Sequence, residues 1–336
     1  MKNNNLTALI NTAFRVRSDL IKKLEAEETD TWRIFHGVNE GWPGLTIDKY
    51  GPQVLVQGFR QPLSQPEITG IKTAVSSHLG FSPYFVYNHR SGKKVKNIPL
   101  PGEPDAHTPS MCKEMGVKYR IIGVHQGLDP LLFIDLRAGR RFLVQHCKGK
   151  SLLNLFAYTC SAGIAAATAG ARLVWNVDFA LSSLNYGKEN ANLNQIPSDR
   201  MRFIRQDVFP VIRQLSGLGV KGKARRRQFL KFKPRTFDLV FMDPPTRAAS
   251  AFGAVDIIDD YQGLFKPALL CVKPGGMIIC TNHAPEVELT QWLEQLKRCA
   301  SKAGKQIKGV HVIDPEPDFP SPDKKYPLKI AAFELP

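Results

Sequence analysis

Apolar positions along this chain change rhythm twice, and each change marks off a region. From about residue 7 to 28 they recur at helical spacing, with Leu20, Ile21 and Leu24 on one face and Asp19 near the start. This predicts an N-terminal helical segment, 1–28. Residues 29–118 follow as a small α+β domain. Strands are expected at 32–36 and 54–58, and GWPGLTIDKYG (41–51) between them supplies turn, strand and turn. A helix over 66–79 and a strand over 84–88 complete the unit, while 91–111, rich in Gly, Pro, Lys and His, reads as a loop or linker.

The third region, 119–336, alternates apolar runs with helical stretches. Runs at 151–158, 173–177, 201–205 and 237–242 are interleaved with helices expected at 162–168 and 181–192. A longer helix over 257–272 and a strand over 276–281, after the turn Lys273-Pro274-Gly275, continue the series. Continuous apolar strands alternating with helices predict a parallel sheet covered on both faces. The end departs from this. Segments 308–312 and 329–334 read as two strands with no convincing helix between them, an antiparallel hairpin that closes the sheet. The fold class is α/β, with a small N-terminal α+β domain in front.

That topology turns scattered acids into a pattern. Ligands of an open parallel sheet bind at the carboxyl ends of its strands, where the strand order reverses. Asp178, Asp207 and Asp243 each follow an apolar run, so all three project from that edge. The first turn, NLFAYTCSAG (154–163), lacks the spaced glycines of a dinucleotide fingerprint. Its small residues Ser161 and Ala162 still let a ligand approach the backbone, and a helix starting there offers free N–H groups to a carboxylate. Asp178 is placed to accept both ribose hydroxyls of an adenosine, and Asp207-Val208-Phe209 to flank its adenine. A single aspartate after a strand is often a turn residue; three on one edge beside such a turn define a site. In Asp243-Pro244-Pro245-Thr246 two prolines without N–H donors make a rigid loop. That loop holds the Asp243 carboxylate and its neighbouring carbonyls toward a planar amine or a base edge, and Asp243 is also a candidate contact of the cofactor.

Composition adds a partner class. The 336 residues carry 46 Lys and Arg against 30 Asp and Glu, a net charge of +16, which attracts polyanions. Lys221, Lys223, Arg225, Arg226, Arg227, Lys231, Lys233 and Arg235 lie together with no acid among them. Nucleic acid is the expected partner, with a plain solvated loop as the alternative for that segment. No apolar run approaches the roughly 20 residues that span a bilayer, and the N-terminus does not read as a signal peptide. Six cysteines without CxxC spacing point away from disulfides and zinc. A reduced, cytoplasmic enzyme is expected, with no metal.

Several of these stretches carry a resemblance. FIDLRAGRR, LLNLFAYTCSAG, VDFALSSLNYGKENANLN, QDVF, FDLVFMDPPT and PGGMII resemble the class I methyltransferases that modify large-subunit ribosomal RNA at cytosine C5 or guanine N7. EGWPGLTIDKYG and EMGVKY resemble the small domain that precedes the catalytic one in the cytosine branch. The resemblance implies a Rossmann-like class I methyltransferase sheet, S-adenosylmethionine (SAM) as methyl donor and RNA, ribosomal by preference, as substrate. It places Asp135 and Arg137 in a segment over the cofactor and Asn154, Phe156, Thr159 and Ser161 along its methionine side. Asp178, with Phe179 after it, holds the ribose.

The departures narrow the chemistry. The cytosine branch starts with an RNA-binding PUA domain, which is expected to be lacking here; the basic segment 221–235 is expected to stand in for it in part. That branch also has Ser-Cys-Ser after the strand at 276–281, its thiolate attacking the base. Here Asn282-His283-Ala284 takes that place and Cys280 lies inside the strand, where a packed hydrophobe is expected. Asn282 and His283 are candidate base contacts, and His283 a candidate proton acceptor. Arg247 replaces an aromatic residue that follows the proline pair in the guanine branch. Cys160 replaces a glycine usual in both, which a negative φ or a relaxed turn would accommodate. The leading expectation is direct methylation of an RNA base. Methylation of a small molecule or protein, and an RNA-binding protein with decayed catalysis, are the other readings.

Overall fold

The computed structural model describes residues 6–90, 97–99, 107–125, 129–220 and 225–336. Two compact units divide the chain: Met1–Arg137 with Glu316–Lys325, and Ala138–Pro315 with Tyr326–Pro336. The boundary thus lies beyond the expected 118, and the initial helices belong to the first unit rather than standing apart.

In that unit α1 (Leu6–Val16) and α2 (Ser18–Ala26) replace the single expected helix. The break falls at Arg17, whose buried guanidinium pairs with Glu40 at 2.6 Å. Strands β1 (Thr31–His36), β2 (Leu45–Tyr50) and β3 (Gln53–Gly58) form an antiparallel meander. Helix α3 (Gln65–Leu79) then crosses to β4 (Tyr84–His89), parallel to β3, and β5 (Asn97–Pro99) closes the edge. The start of α3 is set by a capping box, Ser64 donating from both N and Oγ to Glu67 at 2.6 and 2.7 Å. Gly80, at φ +71, stops it in the left-handed conformation glycine favours. Ile10 and Phe14 of α1 join Ile47, Val56, Val75 and Phe85 in one core. Most of the expected linker 91–111 lies outside the described residues; its end enters the hairpin of β6 (Ser110–Glu114) and β7 (Val117–Ile121).

The second unit, from Ala138 onward, runs α4 (Arg137–His146, its first residue counted with the first unit), β8 (Ser151–Leu155), α5 (Ser161–Thr168), β9 (Leu173–Asp178), α6 (Leu181–Leu193), β10 (Met201–Arg205), α7 (Val208–Leu215) and β11 (Phe237–Met242). After β11 come the short pair β12 (Arg247–Ala249) and β13 (Ala254–Asp256), then α8 (Gln262–Leu270), β14 (Val272–Asn282), α9 (Leu289–Lys302), β15 (Gly309–Ile313) and β16 (Lys329–Glu334). The sheet order is β10-β9-β8-β11-β14-β16-β15. The strands from β10 to β14 in that order pair in parallel, and β16 is antiparallel to both β14 and β15, the closing hairpin expected from the sequence. Chain order reverses between β8 and β11, so the parallel strands open their carboxyl ends on one edge with the reversal at its centre. Among the described residues no helix is long and apolar enough to cross a membrane.

The opposite edge is stitched by one carboxylate. Asp238, at the start of β11, accepts from Ser151 N (2.8 Å) and Oγ (2.6 Å), Arg172 (3.1 Å) and Lys273 (2.8 Å). Burial works to raise its pKa, but the hydrogen bonds from Lys273, Ser151 and Arg172 outweigh that and hold it well below the ordinary carboxylate range. A depressed folded-state pKa gives stability that is complete above the unfolded value near 3.9 and is lost as pH falls below it. D238N is expected to cost about 1–3 kcal/mol at neutral pH and to flatten the loss of stability between about pH 4 and pH 2. Urea melts of both proteins across that range check it; parallel pH profiles would refute the role.

Candidate cofactor and acceptor site

The three strand-end acids meet the backbone in different ways. Asp178 ends β9 almost fully buried. Its Oδ2 accepts from Tyr158 N at 2.9 Å and its Oδ1 from Ala180 N at 2.8 Å. One carboxylate therefore fastens the turn after β8 to the turn after β9. Burial pushes its pKa up, against the backbone N–H groups of Ala180, Tyr158 and Phe179, which pull it down. A carboxylate has about four acceptor positions, so capacity remains for hydroxyl donors. Phe179 beside it is 68% exposed, a large apolar side chain left in water next to that carboxylate.

The turn that Asp178 holds is strained. Phe156, Tyr158 and Cys160 have φ of +56°, +48° and +64°, and non-glycine residues in this region cost about 1–2 kcal/mol each. Such strain gathers at ligand clamps. Cys160 therefore corrects the expectation attached to it: its φ is positive, and the turn has not relaxed to avoid it. Space comes from α6 instead. A Cβ on Gly187 would lie 2.5 Å from the Cys160 sulfur and 3.2 Å from the Phe203 ring, so a glycine on the neighbouring helix receives the side chain.

Around this turn the other expected residues separate by role. Asn154 is buried, its Nδ2 donating to Asn176 Oδ1 at 2.8 Å, which ties β8 to β9 beneath α5. Thr159 is buried and its carbonyl accepts from Asn190 at 3.1 Å. Phe156 is packed in part against the main core. Ser161 opens α5, and Arg140 Nη1 stands 3.5 Å from its Oγ. Arg140 is fully buried; no sequence signal singles it out, although FIDLRAGRR contains it. Asp207 caps α7 by accepting Phe209 N at 2.8 Å, while Val208 lies in the core. Asp135 and Arg137 belong to the N-terminal unit. There the Arg137 guanidinium, wholly buried, donates to Thr31 O at 2.7 Å and to Asp318 at 2.5 Å.

On the acceptor side Asp243 leaves the end of β11, and Thr281 Oγ1 donates to its Oδ1. The Tyr261 hydroxyl donates to Thr281 O at 2.7 Å. Neither Thr281 nor Tyr261 is marked by the sequence: both lie in segments that read as plain secondary structure. Pro244 is buried and Pro245 exposed. His283, after β14, is half-buried. Asn282 has no exposed surface; its Nδ2 donates to Ile257 O at 3.0 Å and its Oδ1 accepts from Ala284 N at 3.0 Å. It roots the chain around β13 and is closed to a base. Cys280 is fully buried, and burial raises its thiol pKa, so no thiolate is offered. All six cysteines are buried and unbridged. Within the basic segment Lys221 and Lys223 lie outside the described residues, and Arg225, Arg226, Arg227, Lys231, Lys233 and Arg235 are exposed.

A sheet of this order, with an acid at the end of its second strand and an Asp-Pro-Pro loop at the reversal, is the Rossmann-like sheet of class I methyltransferases. The family profile described as S-adenosylmethionine-dependent methyltransferase matches residues 32–334. The chain belongs to that family. Among curated relatives, ribosomal RNA large subunit methyltransferase K/L of Shewanella sediminis is 29% identical over 79% of this chain and 35% of its own length. Ribosomal RNA large subunit methyltransferase I of Shewanella frigidimarina is 24% identical over 90% of this chain and 72% of its own. The chain thus spans about a third of the first relative. A methyltransferase crystallised with SAH shares the fold with a TM-score of 0.80 at 22% identity, over 98% of this chain and 81% of its own. The SAM-dependent methyltransferase from Agrobacterium tumefaciens does so with a TM-score of 0.64 at 19% identity, over 91% and 90%.

SAM is the cofactor of this family, and the residues present fit it: a buried carboxylate with spare acceptor capacity, an exposed ring beside it and a strained, ligand-ready turn. D178A is expected to weaken SAM binding at least about tenfold, two charge-assisted hydrogen bonds being worth more than that. Because burial raises the Asp178 pKa, wild-type affinity should decline on acidification from above the ordinary aspartate range near 3.9. The same shift opposes folding at neutral pH, so this group loses no stability on protonation. Calorimetry with SAM over a pH series checks both; equal affinities would rule Asp178 out. Separately, G187A is expected to destabilise by about 1–3 kcal/mol, and C160G to relieve a good part of that, with coupling on the order of 1 kcal/mol. Additive denaturation midpoints would show that Cys160 does not lean on Gly187.

Proposed function

We propose that this chain methylates a base in ribosomal RNA by direct transfer to a nitrogen. Bound SAM supplies an electrophilic methyl group; what the chain must do is position both partners. In this reading Asp178 holds the ribose, Phe179 lies along the adenine and residues 156–161 take the methionine part. Arg140, beside the first turn of α5, balances the methionine carboxylate. Asp243 accepts a hydrogen bond from the acceptor amine, aided by the Pro244 and Pro245 carbonyls, while Thr281 keeps its carboxylate oriented. His283 is the group that receives the proton. The base must be unpaired or flipped to reach the site.

The observation that carries this reading is the Asp243–Thr281 pair at the strand-order reversal, with His283 where a nucleophilic thiol would be needed and Cys280 sealed inside β14. The names of the relatives support ribosomal RNA, and the exposed cations of residues 225–235 support a polyanion. A decayed RNA-binding protein is the second reading, favoured by the left-handed Cys160 in the cofactor turn. Mass mapping of ribosomal RNA from cells lacking the chain tests the first: one methylated base should disappear, and wild type should restore it. D243A should lower that methylation rate about a hundredfold or more, well beyond any loss of SAM affinity. An unchanged methylation pattern across all ribosomal RNA would overturn the reading.

A further inference from the structure

Beyond residue 224 the basic segment after α7 is built into the fold. Residues 200–236 hold twelve Arg and Lys and one acid, Asp207, which is engaged in capping α7. Strand β10 is the edge of the sheet and carries Arg202 and Arg205, both exposed. The later part of the segment is laid alongside it. Leu230 N donates to Gln206 Oε1 at 2.9 Å, and Gln214 brackets the strip, donating to Leu230 O at 2.9 Å and accepting from Phe232 N at 3.1 Å.

Its cations rest on aromatic rings. The Arg202 and Arg235 guanidinium groups each lie 5.0 Å from the Trp175 ring, and Lys231 Nζ lies 3.8 Å from that of Phe229. Gathering like charges around one indole works against folding, yet it preorganises positive charge for a polyanion. Phe229, half-buried, meets Phe252 edge-on at 5.9 Å. Phe252 sits at the tip of the β12–β13 hairpin, a tip fixed by the Ser250–Gly253 hydrogen bond at 2.8 Å. The hairpin is closed at its root by Ile257 N donating to Thr246 O at 3.1 Å, directly after Asp243-Pro244-Pro245. Cations and rings therefore run from the sheet edge to the acceptor loop.

We propose that this strip binds an unpaired stretch of RNA, with phosphates on Arg202, Arg205 and Arg235 and a base stacked at the Phe229–Phe252 pair, next to the nucleotide presented to Asp243. The proposal rests on the RNA reading above and narrows its substrate. A stacking ring needs a free base face, which single strands and loops offer and a duplex does not. Phosphate contacts set the salt dependence of binding, whereas stacking adds affinity without it.

The test uses the full chain, a short unpaired oligoribonucleotide and an RNA duplex of the same length, titrated over a range of salt. R202Q/R235Q, which keeps polar stems over Trp175, should lower the slope of log K against log salt by about 0.7 for each phosphate no longer neutralised. F229A and F252A should each weaken the unpaired probe about tenfold with the slope unchanged, and leave the duplex unaffected. Unaltered SAM binding shows that each variant is folded. Wild-type binding to the unpaired probe that survives all these changes, or equal losses on the duplex, overturns the strip alone. A wild-type chain that binds neither RNA at low salt overturns the RNA reading with it.

Discussion

The hydrogen bonds from Tyr158 N and Ala180 N to Asp178 hold the site together. They join two connections that the sheet merely brings near each other, and they do so with an acid that burial would rather see neutral. The turn from Phe156 to Cys160 is left-handed at three positions, a geometry that persists when its surroundings over-determine it. Asp178 supplies one constraint. The Asn190 amide on the Thr159 carbonyl and Gly187 facing the Cys160 sulfur supply two more, both from α6. That helix is therefore as much a part of this turn as the loop itself.

The N-terminal unit has its own interior tie. Arg137 and Asp318 are both without exposed surface and pair directly, and Arg33 N donates to the second Asp318 oxygen at 2.8 Å. Asp318 is contributed by the connection between β15 and β16, far along the chain from Arg137. Losing either partner leaves a buried charge uncompensated, at a cost of about 3–5 kcal/mol. The small unit is thus completed by a segment that sequence order assigns to the end of the chain. A motif segment beginning FIDLR carries an arginine for the architecture of the N-terminal unit in Arg137 and one beside the start of α5 in Arg140.

Much of this was legible in the sequence, and the reason is the parallel sheet. Strands β8, β9 and β11 are buried on both faces, so they stand out as apolar runs, and the acids at their ends fall on one edge by topology alone. Elements with mixed composition were less visible. Helix α7 starts VFP, and its proline argues against a helix unless it is recognised as first-turn, where proline is tolerated. Helix α9 keeps Trp292, Leu296, Cys299 and Ala300 on one buried face, a periodicity diluted by the charged residues between them. The helix expected over 257–272 starts too early because AVDII is apolar. There the Asp256 carboxylate instead accepts from Ile258 N and Asp259 N, making a turn and leaving α8 to start at Gln262. The three-residue strands β12 and β13 have no periodicity to read, and they carry the hairpin beside the acceptor loop.

What the sequence could not disclose was which polar residues at the end of β14 face the site. Asn282 is the last residue of β14 and His283 the first beyond it; within the strand adjacent side chains point to opposite faces. Asn282 is drawn inward to Ile257 and Ala284, where it fixes the root of the hairpin, while His283 is left partly in solvent. Thr281, one position earlier, again faces the other way from Asn282 and reaches Asp243. Three consecutive residues thus differ in place: Thr281 meets the Asp243 carboxylate, Asn282 anchors the hairpin and His283 stays partly exposed. Cys280, two residues before Asn282, is sealed inside the strand, and burial raises its thiol pKa, so it presents no thiolate at this edge.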